Sequence, residues 1–366
     1  MRVVLDARMW EHSGIGRYIR GLAAWLPKVA PELQLELAGA PARLATLIEQ
    51  VPADRLRVRA YRAPIYGLRE QLEGSLRLGL AGGLIHVPHY NAPWLLGRRS
   101  VVTVHDLIQF SHGVASAWKR RAGFALLRRA VRRAGAVISV SHATAAALRA
   151  AAPGLEGKLE VIPLGVDHPF DVKPRAEVEQ FLARRRLSRY LLFVGNRKPH
   201  KNLPVLLQAF ARLRHQAPDV ELVIVGRRFQ PDDVVARAVG NGVPGVRDAG
   251  VVEEEELARY YNGALALVIP SRVEGFGLPV LEAMACGCPV VISRVPALLE
   301  VAGEAARAVT PDDPEALAES LQGLCANPRL REALREQGLA RASRFSWEQT
   351  AKDTLAVYRR VWRGRA

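Results

Sequence analysis

Between Ser271 and Val291 the chain reads SRVEGFGLPVLEAMACGCPVV, with Glu274 and Glu282 on either side of a glycine-rich corner. Such carboxylates can act as acid, base or nucleophile on a glycosidic bond, or accept hydrogen bonds from sugar hydroxyls. Two glycines within three residues resist regular structure, so RVEGFG reads as a loop. Pro279 suits the first turn of a helix, and Gly287 suits its stop. Glu274 then lies in the loop and Glu282 in the first helical turn. The backbone N–H groups of Gly275, Phe276, Gly277 and Leu278 approach a helix N-terminus, where an anion such as phosphate is favoured. Taken alone, either glutamate reads equally well as a complement to the helix dipole or as a solvated loop charge.

Four further stretches carry candidate chemistry. VGNRKPHKNL, residues 194–203, follows an apolar run and opens a helix. It holds Gly195, Asn196, Arg197 and Lys201, and points a cation toward a strand's C-terminal end, although a lone lysine there is ordinarily a surface residue. VVTVHDL ends an apolar strand on His105 and Asp106, a pair that is structural more often than not without context. HSGIGRYIR holds Gly14, Gly16 and Arg17 just after the first strand; the glycines could bring backbone N–H groups to a ligand or merely start a helix. WKRRAGFALLRRAVRRA, residues 118–134, is amphipathic at a helical period. Phe124, Leu127, Ala130, Val131 and Ala134 fall on one side and Arg121, Arg128, Arg129, Arg132 and Arg133 on the other. That basic face is either solvated or turned to an anionic membrane surface.

These residues need strands and helices to hold them. Apolar runs such as RVVLDA, LIHVP, SVVTVHD, AVISVS, LEVIPLG, YLLFVGN, VELVIVG, ALALVIPS and PVVIS alternate with helical patterns. The alternation predicts parallel sheets with helices on both faces, binding ligands at the strands' C-terminal ends. IPLGVDHPFDVKP, residues 162–174, holds three prolines and a glycine and reads as a linker. The expected division is 1–165, 166–345 and a C-terminal helix, 346–366, packing back on the first domain. Ser346 and Gln349 suggest a capping box for that helix.

The chain has 366 residues, too many for one comfortable core, with 49% hydrophobic and 24% charged residues. Its three cysteines read as reduced thiols. Asp6 and Arg8 interrupt any signal-peptide core, and no apolar run approaches the ~20 residues that span a bilayer. The expectation is a cytoplasmic protein, peripheral to the inner membrane face if the basic helix docks there. The net charge of +16 suggests polyanionic partners or merely an arginine-rich composition. No RRM, KH, zinc or helix-turn-helix signature supports nucleic acid.

The string SxxEGFGLPxLEAMACGxPV resembles the signature of the family 4 glycosyltransferases, and the resemblance extends over most of the chain. It implies a GT-B fold: α/β, two Rossmann-like doubly wound domains facing a central cleft. It also implies transfer of a hexose from a nucleotide-sugar to an acceptor hydroxyl, with retention and without a metal or other cofactor. No DxD motif stands in a suitable place. By resemblance, Lys201 grips the donor diphosphate, Glu274 holds sugar hydroxyls and Glu282 holds the ribose. His105 lies beside the transferred sugar, oriented by Asp106, and Arg17 touches the acceptor. Many members have arginine where this chain has Asn196, so Arg197 or Lys198 is left to supply the second phosphate cation. GIGRY and the His-Asp pair lean toward GDP-mannose, with UDP-hexose and dTDP-rhamnose open. A lipid-linked or cell-envelope glycan is the expected acceptor. The competing readings are a glycoside hydrolase using Glu274 and Glu282, a non-enzymatic polyanion-binding protein, and an inactive GT-B module.

Overall fold

The fold, a computed structural model, describes residues 1–48, 56–65, 67–79, 82–110, 117–228, 233–241 and 243–364. Part of GRRFQPDD, residues 229–232, lies outside them. The chain divides into two compact units, 1–165 with 346–366, and 166–345.

Unit 1 begins β1 (Arg2–Asp6), α1 (Ser13–Val29), β2 (Gln34–Gly39), α2 (Pro41–Ile48), β3 (Leu56–Ala60), α3 (Leu68–Gly79), β4 (Leu84–Val87) and β5 (Ser100–Val104). It continues α4 (Ala117–Arg133), β6 (Ala136–Ser139), α5 (His142–Ala151) and β7 (Leu159–Val161). Residues 162–174 carry neither helix nor strand. Unit 2 runs α6 (Arg175–Arg185), β8 (Tyr190–Val194), α7 (Leu203–Arg214), β9 (Glu221–Val225), α8 (Val234–Gly240), β10 (Val246–Gly250) and α9 (Glu254–Gly263). Then come β11 (Ala266–Ile269), α10 (Leu278–Ala285), β12 (Val290–Ser293), α11 (Pro296–Ala302), β13 (Arg307–Val309), α12 (Pro314–Ala326) and α13 (Pro328–Ala342). The last helix, α14 (Trp347–Arg363), belongs to unit 1.

Every strand pairing is parallel. Parallel sheets need both faces covered, and the central strands β5 (SVVTV) and β8 (YLLFV) are accordingly buried at every position. Unit 1 has strand order β3-β2-β1-β4-β5-β6-β7, and unit 2 has β10-β9-β8-β11-β12-β13. The order therefore reverses between β1 and β4 in one unit and between β8 and β11 in the other. Doubly wound sheets bind ligands just beyond the strands' C-terminal ends at such switch points.

Within unit 1, α14 packs on α1 through Trp347. A Cβ at Gly21 would lie 2.3 Å from the Trp347 ring, so only glycine admits this packing. Tyr358 reaches the buried His86, and Thr350 Oγ1 donates to the Pro163 carbonyl at 2.8 Å. Half of the expected capping box forms. Ser346 Oγ accepts the Gln349 N–H at 3.1 Å, but the Gln349 side chain turns forward to Asp353.

In unit 2, Gly226 has φ of +139°. A Cβ there would lie 2.0 Å from the Gly195 carbonyl oxygen, where the ends of β8 and β9 touch. Gly226→Ala therefore combines backbone strain with a backbone clash, an expected cost of ~2–4 kcal/mol. Chemical denaturation followed by circular dichroism measures it, and an unchanged midpoint would contradict this account.

Candidate functional site

The unit 2 switch point gathers two stretches far apart in sequence. β8 ends at Val194, and Gly195 follows with its N–H donating to the Val225 carbonyl at 3.0 Å. The chain then turns through a short 3-10 segment, Pro199–Lys201, into α7. Lys201 folds back so that its Cε lies 3.7 Å from where a Cβ on Gly195 would stand. Its Nζ donates to Glu274 Oε1 at 2.6 Å, and Ser271 Oγ donates to the same oxygen at 2.6 Å. The Arg272 N–H donates to the His200 carbonyl at 2.8 Å, and Arg272 and Asn202 both donate to Asp312. The loops after β8 and β11 are thus tied by backbone, hydroxyl and charge. An ammonium has three donors, so the pairing with Glu274 leaves Lys201 able to serve an anion as well.

Gly277 caps α10 with φ of +110°, a conformation suited to glycine. Leu278 opens the helix, and its N–H, like that of Gly277, has no intrahelical acceptor. Phe276 is buried against Phe345, ring centroids 6.3 Å apart, which fixes the corner. Asn196 is half-buried, with its Oδ1 lacking a hydrogen-bond partner among the described residues. A buried carbonyl of this kind is ordinarily satisfied by water or ligand.

Two expectations are corrected here. Glu282 is the fifth residue of α10, beyond the first turn. It is buried, and its Oε2 accepts the Tyr261 hydroxyl from α9 at 2.9 Å. It therefore does not complement the helix end, because the dipole's influence fades beyond the first turn. The second correction concerns Arg197, whose side chain is 0% exposed and ion-paired to Asp233 and Asp248. Burial pulls the Asp248 carboxyl upward, but Arg197, the Gly250 N–H and Arg228 outweigh it and hold it below the usual carboxylate range. A guanidinium so enclosed cannot present its charge to a phosphate. Lys198, by contrast, is exposed.

In unit 1 the C-terminal ends of β4 and β5 bring three histidines together. His86 is fully buried, its Nδ1 2.5 Å from the Tyr358 hydroxyl and its Nε2 2.8 Å from Thr103 Oγ1. Tyr18 stands edge-on to His86 and His105, with centroids 5.8 and 5.0 Å away. Burial pushes His105 down to about 4. Burial, and then the proximity of His105, push His86 and His89 down to about 3. All three are neutral near pH 7. The His105 ring hydrogen-bonds the Pro88 carbonyl, and its Nε2 is buried without a partner among the described residues. Asp106 Oδ1 accepts the Ile108 N–H at 3.0 Å. The Pro88 carbonyl is thus one of the groups that hold the His105 ring.

Gly14 and Gly16 lie inside the first turn of α1. Gly14 is exposed, but Gly16 is buried and its N–H donates to the His12 carbonyl at 2.7 Å. A Cβ at Gly16 would meet the Trp10 carbonyl oxygen at 2.3 Å, so this glycine serves packing and offers no N–H to a ligand. Arg17 is half-buried in the same helix.

Ser271 and Tyr261, which hold the two glutamates, were not among the residues expected from sequence. Ser271 lay within the signature string, whereas Tyr261 carried no local signal. A buried network at the end of β1 was equally hidden. Arg8 pairs with Asp6 and Glu70, both at 2.6 Å, and Asn91 Nδ2 donates to Glu70.

Two family models match the chain in tandem: "Glycosyltransferase Family 4" over residues 12–170 and "Glycosyl transferases group 1" over 175–341. Similar proteins include the O-antigen chain mannosyltransferase B of Escherichia coli, 39% identical over 46% of this chain and 45% of its own length. Another is the MMP alpha-(1->4)-mannosyltransferase of Mycolicibacterium hassiacum, 34% identical over 73% of this chain and 66% of its own. The chain thus spans about half to two thirds of the length of these curated relatives. Among solved structures, Anabaena HepE, crystallised with UDP and glucose, has TM-score 0.78 and 19% identity, covering 97% of this chain and 98% of that one. That likeness extends the two-sheet architecture to a known GT-B example. With both units matched by the paired models and Lys201, Glu274 and Glu282 assembled in the second, the chain belongs to the family 4 glycosyltransferases.

Proposed function

We propose that the protein moves a hexose, mannose by preference, from a nucleotide-sugar to an acceptor hydroxyl in the synthesis of a cell-envelope or surface glycan. The carrying observation is the Lys201–Glu274 pair, which joins the loops after β8 and β11 beside the open N-terminus of α10. In this reading the donor lies on unit 2. Glu282, fixed by Tyr261, accepts the ribose hydroxyls. Lys201, with Lys198 as second cation, and the N–H groups of Gly277 and Leu278 stabilise the departing diphosphate, the step in which charge develops. Glu274 holds hydroxyls of the sugar, and Asn196 Oδ1 takes a donor hydroxyl or base amine. On unit 1, neutral His105 presents an imidazole nitrogen to a sugar hydroxyl, while Gly14 and Arg17 are left to the acceptor.

The reading needs no cofactor and places no metal in the reaction. Retention follows if the leaving phosphate takes the acceptor's proton on the same face of the sugar. The two mannosyltransferase relatives favour mannose, and the UDP bound to HepE keeps UDP under consideration. A lipid-linked or glycan acceptor fits the O-antigen relative. Against the hydrolase reading, Glu274 is ion-paired to Lys201 and Glu282 already accepts a tyrosine hydroxyl. Neither is held as a proton donor. Among the described residues no helix is long and apolar enough to cross a membrane.

Thermal unfolding with GDP, UDP, dTDP and ADP, with and without magnesium, tests the reading. One nucleotide at ~100 times its dissociation constant adds ~2.7 kcal/mol, or roughly 5–10 °C for a unit of this size. Glu282→Ala is expected to abolish that response while remaining folded. Lys201→Ala is expected to erase the preference for diphosphate over nucleoside. No shift with any nucleotide, or an unaltered response in Glu282→Ala, would count against the assignment.

A further inference from the structure

We propose that Asp312, in the loop after β13, is a positioning residue that fixes Lys201 and Glu274 for the diphosphate by holding Asn202 and Arg272. That role presupposes a donor bound on unit 2 and adds a third loop to its site. The Asp312 carboxylate accepts Asn202 Nδ2 at 3.0 Å and Arg272 Nε at 2.8 Å, with Arg272 Nη2 at 2.7 Å. Asn202 directly follows Lys201 in the chain. Arg272 directly follows Ser271, whose hydroxyl donates to the same Glu274 oxygen that Lys201 grips. The Arg272 N–H also donates to the His200 carbonyl at 2.8 Å. Asp312 thus holds the chain beside each member of the Lys201–Glu274 pair while touching neither.

The backbone at this link is unusual. Asn202 and Asp312 have φ of +58° and +63°, and Arg186 is the other non-glycine residue in the left-handed region among the described residues. That region is costly for a residue with a side chain and persists where the surroundings enforce it. Here two such residues hold each other. Asn202 stands at the N-cap of α7, yet its side chain makes no cap there. Its Oδ1 is buried with no hydrogen-bond partner among the described residues. Asp312, for its part, is not needed by the helix it precedes: the adjacent Asp313 caps α12 through the Glu315 and Ala316 N–H groups. A link that leaves one helix uncapped and a buried carbonyl unsatisfied is not what stability alone would select.

What the link supplies is geometry. Lysine carries its charge on a flexible four-carbon stem, so Lys201 Nζ is placed only as well as its backbone and its partner Glu274 are placed. Asp312 and Arg272 have half-exposed side chains, and an ion pair of that exposure adds little to stability. Arg272 nevertheless meets both carboxylate oxygens, which fixes direction as well as distance. Hydrogen bonding from Arg272 is the main cause holding the Asp312 carboxyl below the usual carboxylate range, so the link stays charged near pH 7. A displacement of about 1 Å at the cation is enough to weaken its hold on a charged ligand.

Calorimetric titration of the full chain with GDP, UDP, dTDP and ADP, and with the matching nucleosides, tests the proposal. Asp312→Gly suits the left-handed backbone and removes both links. It should weaken the bound diphosphate about 10-fold and leave the nucleoside unaffected, at a nearly unchanged thermal midpoint. Asp312→Asn can still accept from Asn202 and should recover part of the loss. In a Lys201→Ala background, Asp312→Gly should add little further loss, because Asp312 acts through Lys201. Arg272→Met breaks the second link with no demand on the backbone and should reproduce part of the effect, which keeps the test open if the glycine variant does not fold. Equal loss of diphosphate and nucleoside, full additivity with Lys201→Ala, or variants that bind like the wild type would overturn the proposal. A wild type that binds none of the four diphosphates would remove the donor reading itself, and the role of Asp312 with it.

Discussion

Arg197→Ala is expected to lower the unfolding midpoint of unit 2 by roughly 10 °C, and to do so with or without nucleotide. The guanidinium is wholly enclosed and answers two carboxylates, Asp233 at 3.4 Å and the closer Asp248. Removing one partner of a buried ionic group strands the others in low dielectric, at ~3–5 kcal/mol. For a unit of this size that corresponds to ~2–4 °C per kcal/mol. Asp248 would keep only the exposed Arg228 and the Gly250 N–H, so its carboxyl would lose its largest stabilising partner. Asp233 caps α8 through the Val235 and Ala236 N–H groups, and the loss should spread to that helix. The measurement is separable by unit. All six tryptophans, at positions 10, 25, 94, 118, 347 and 362, lie in unit 1. Circular dichroism should therefore show an early transition that tryptophan fluorescence does not follow. If Arg197 instead gripped the donor phosphate, the variant would melt like the wild type and lose only its nucleotide response.

That contrast shows where sequence reasoning reaches and where it stops. Lys201 and the Glu274–Leu278 corner were legible because local chemistry announces them: glycine, proline and strand ends mark loops whatever the tertiary context. The role of Arg197 was not legible, because its partners lie 36 and 51 residues away and nothing near Asp233 or Asp248 points back to it. Tyr261 was hidden from Glu282 for the same reason. The central strands were readable as continuous apolar runs, buried on both faces. The edge strands β3 (LRVRA), β10 (VRDAG) and β13 (RAV) were not named, because each carries charge that a sheet edge tolerates. In β2, Glu36 is buried only because Arg2 and Arg59 pair with it from β1 and β3.

The second large effect is loss of unit 1 stability in mild acid. His86, His89 and His105 each have an ordinary value of 6.5, and in the fold they lie at about 3, 3 and 4. Burial is the leading cause for each. Near pH 8 the folded and unfolded chains both hold these imidazoles neutral, and the pH dependence sets in as the unfolded chain's imidazoles begin to charge near 6.5. Between 6.5 and about 4 the unfolded chain takes up protons that the folded chain refuses. Stability must therefore fall as the pH drops through that window. The combined loss should reach several kcal/mol, since each unit of pKa difference is worth ~1.4 kcal/mol. Urea unfolding followed by tryptophan fluorescence reads unit 1 alone, because unit 2 has no tryptophan. Its midpoint should decline steeply from pH 6.5 to 4 and change only slightly between 8 and 6.5. His86→Gln offers a neutral amide to Thr103 and Tyr358 and should flatten part of the decline, even if the variant is somewhat less stable at pH 7. A midpoint independent of pH across the window would mean that the three rings are solvated and can be charged in place. His105 would then be available as a cation, and its assignment as a neutral hydrogen-bonding partner of a sugar hydroxyl would have to be abandoned.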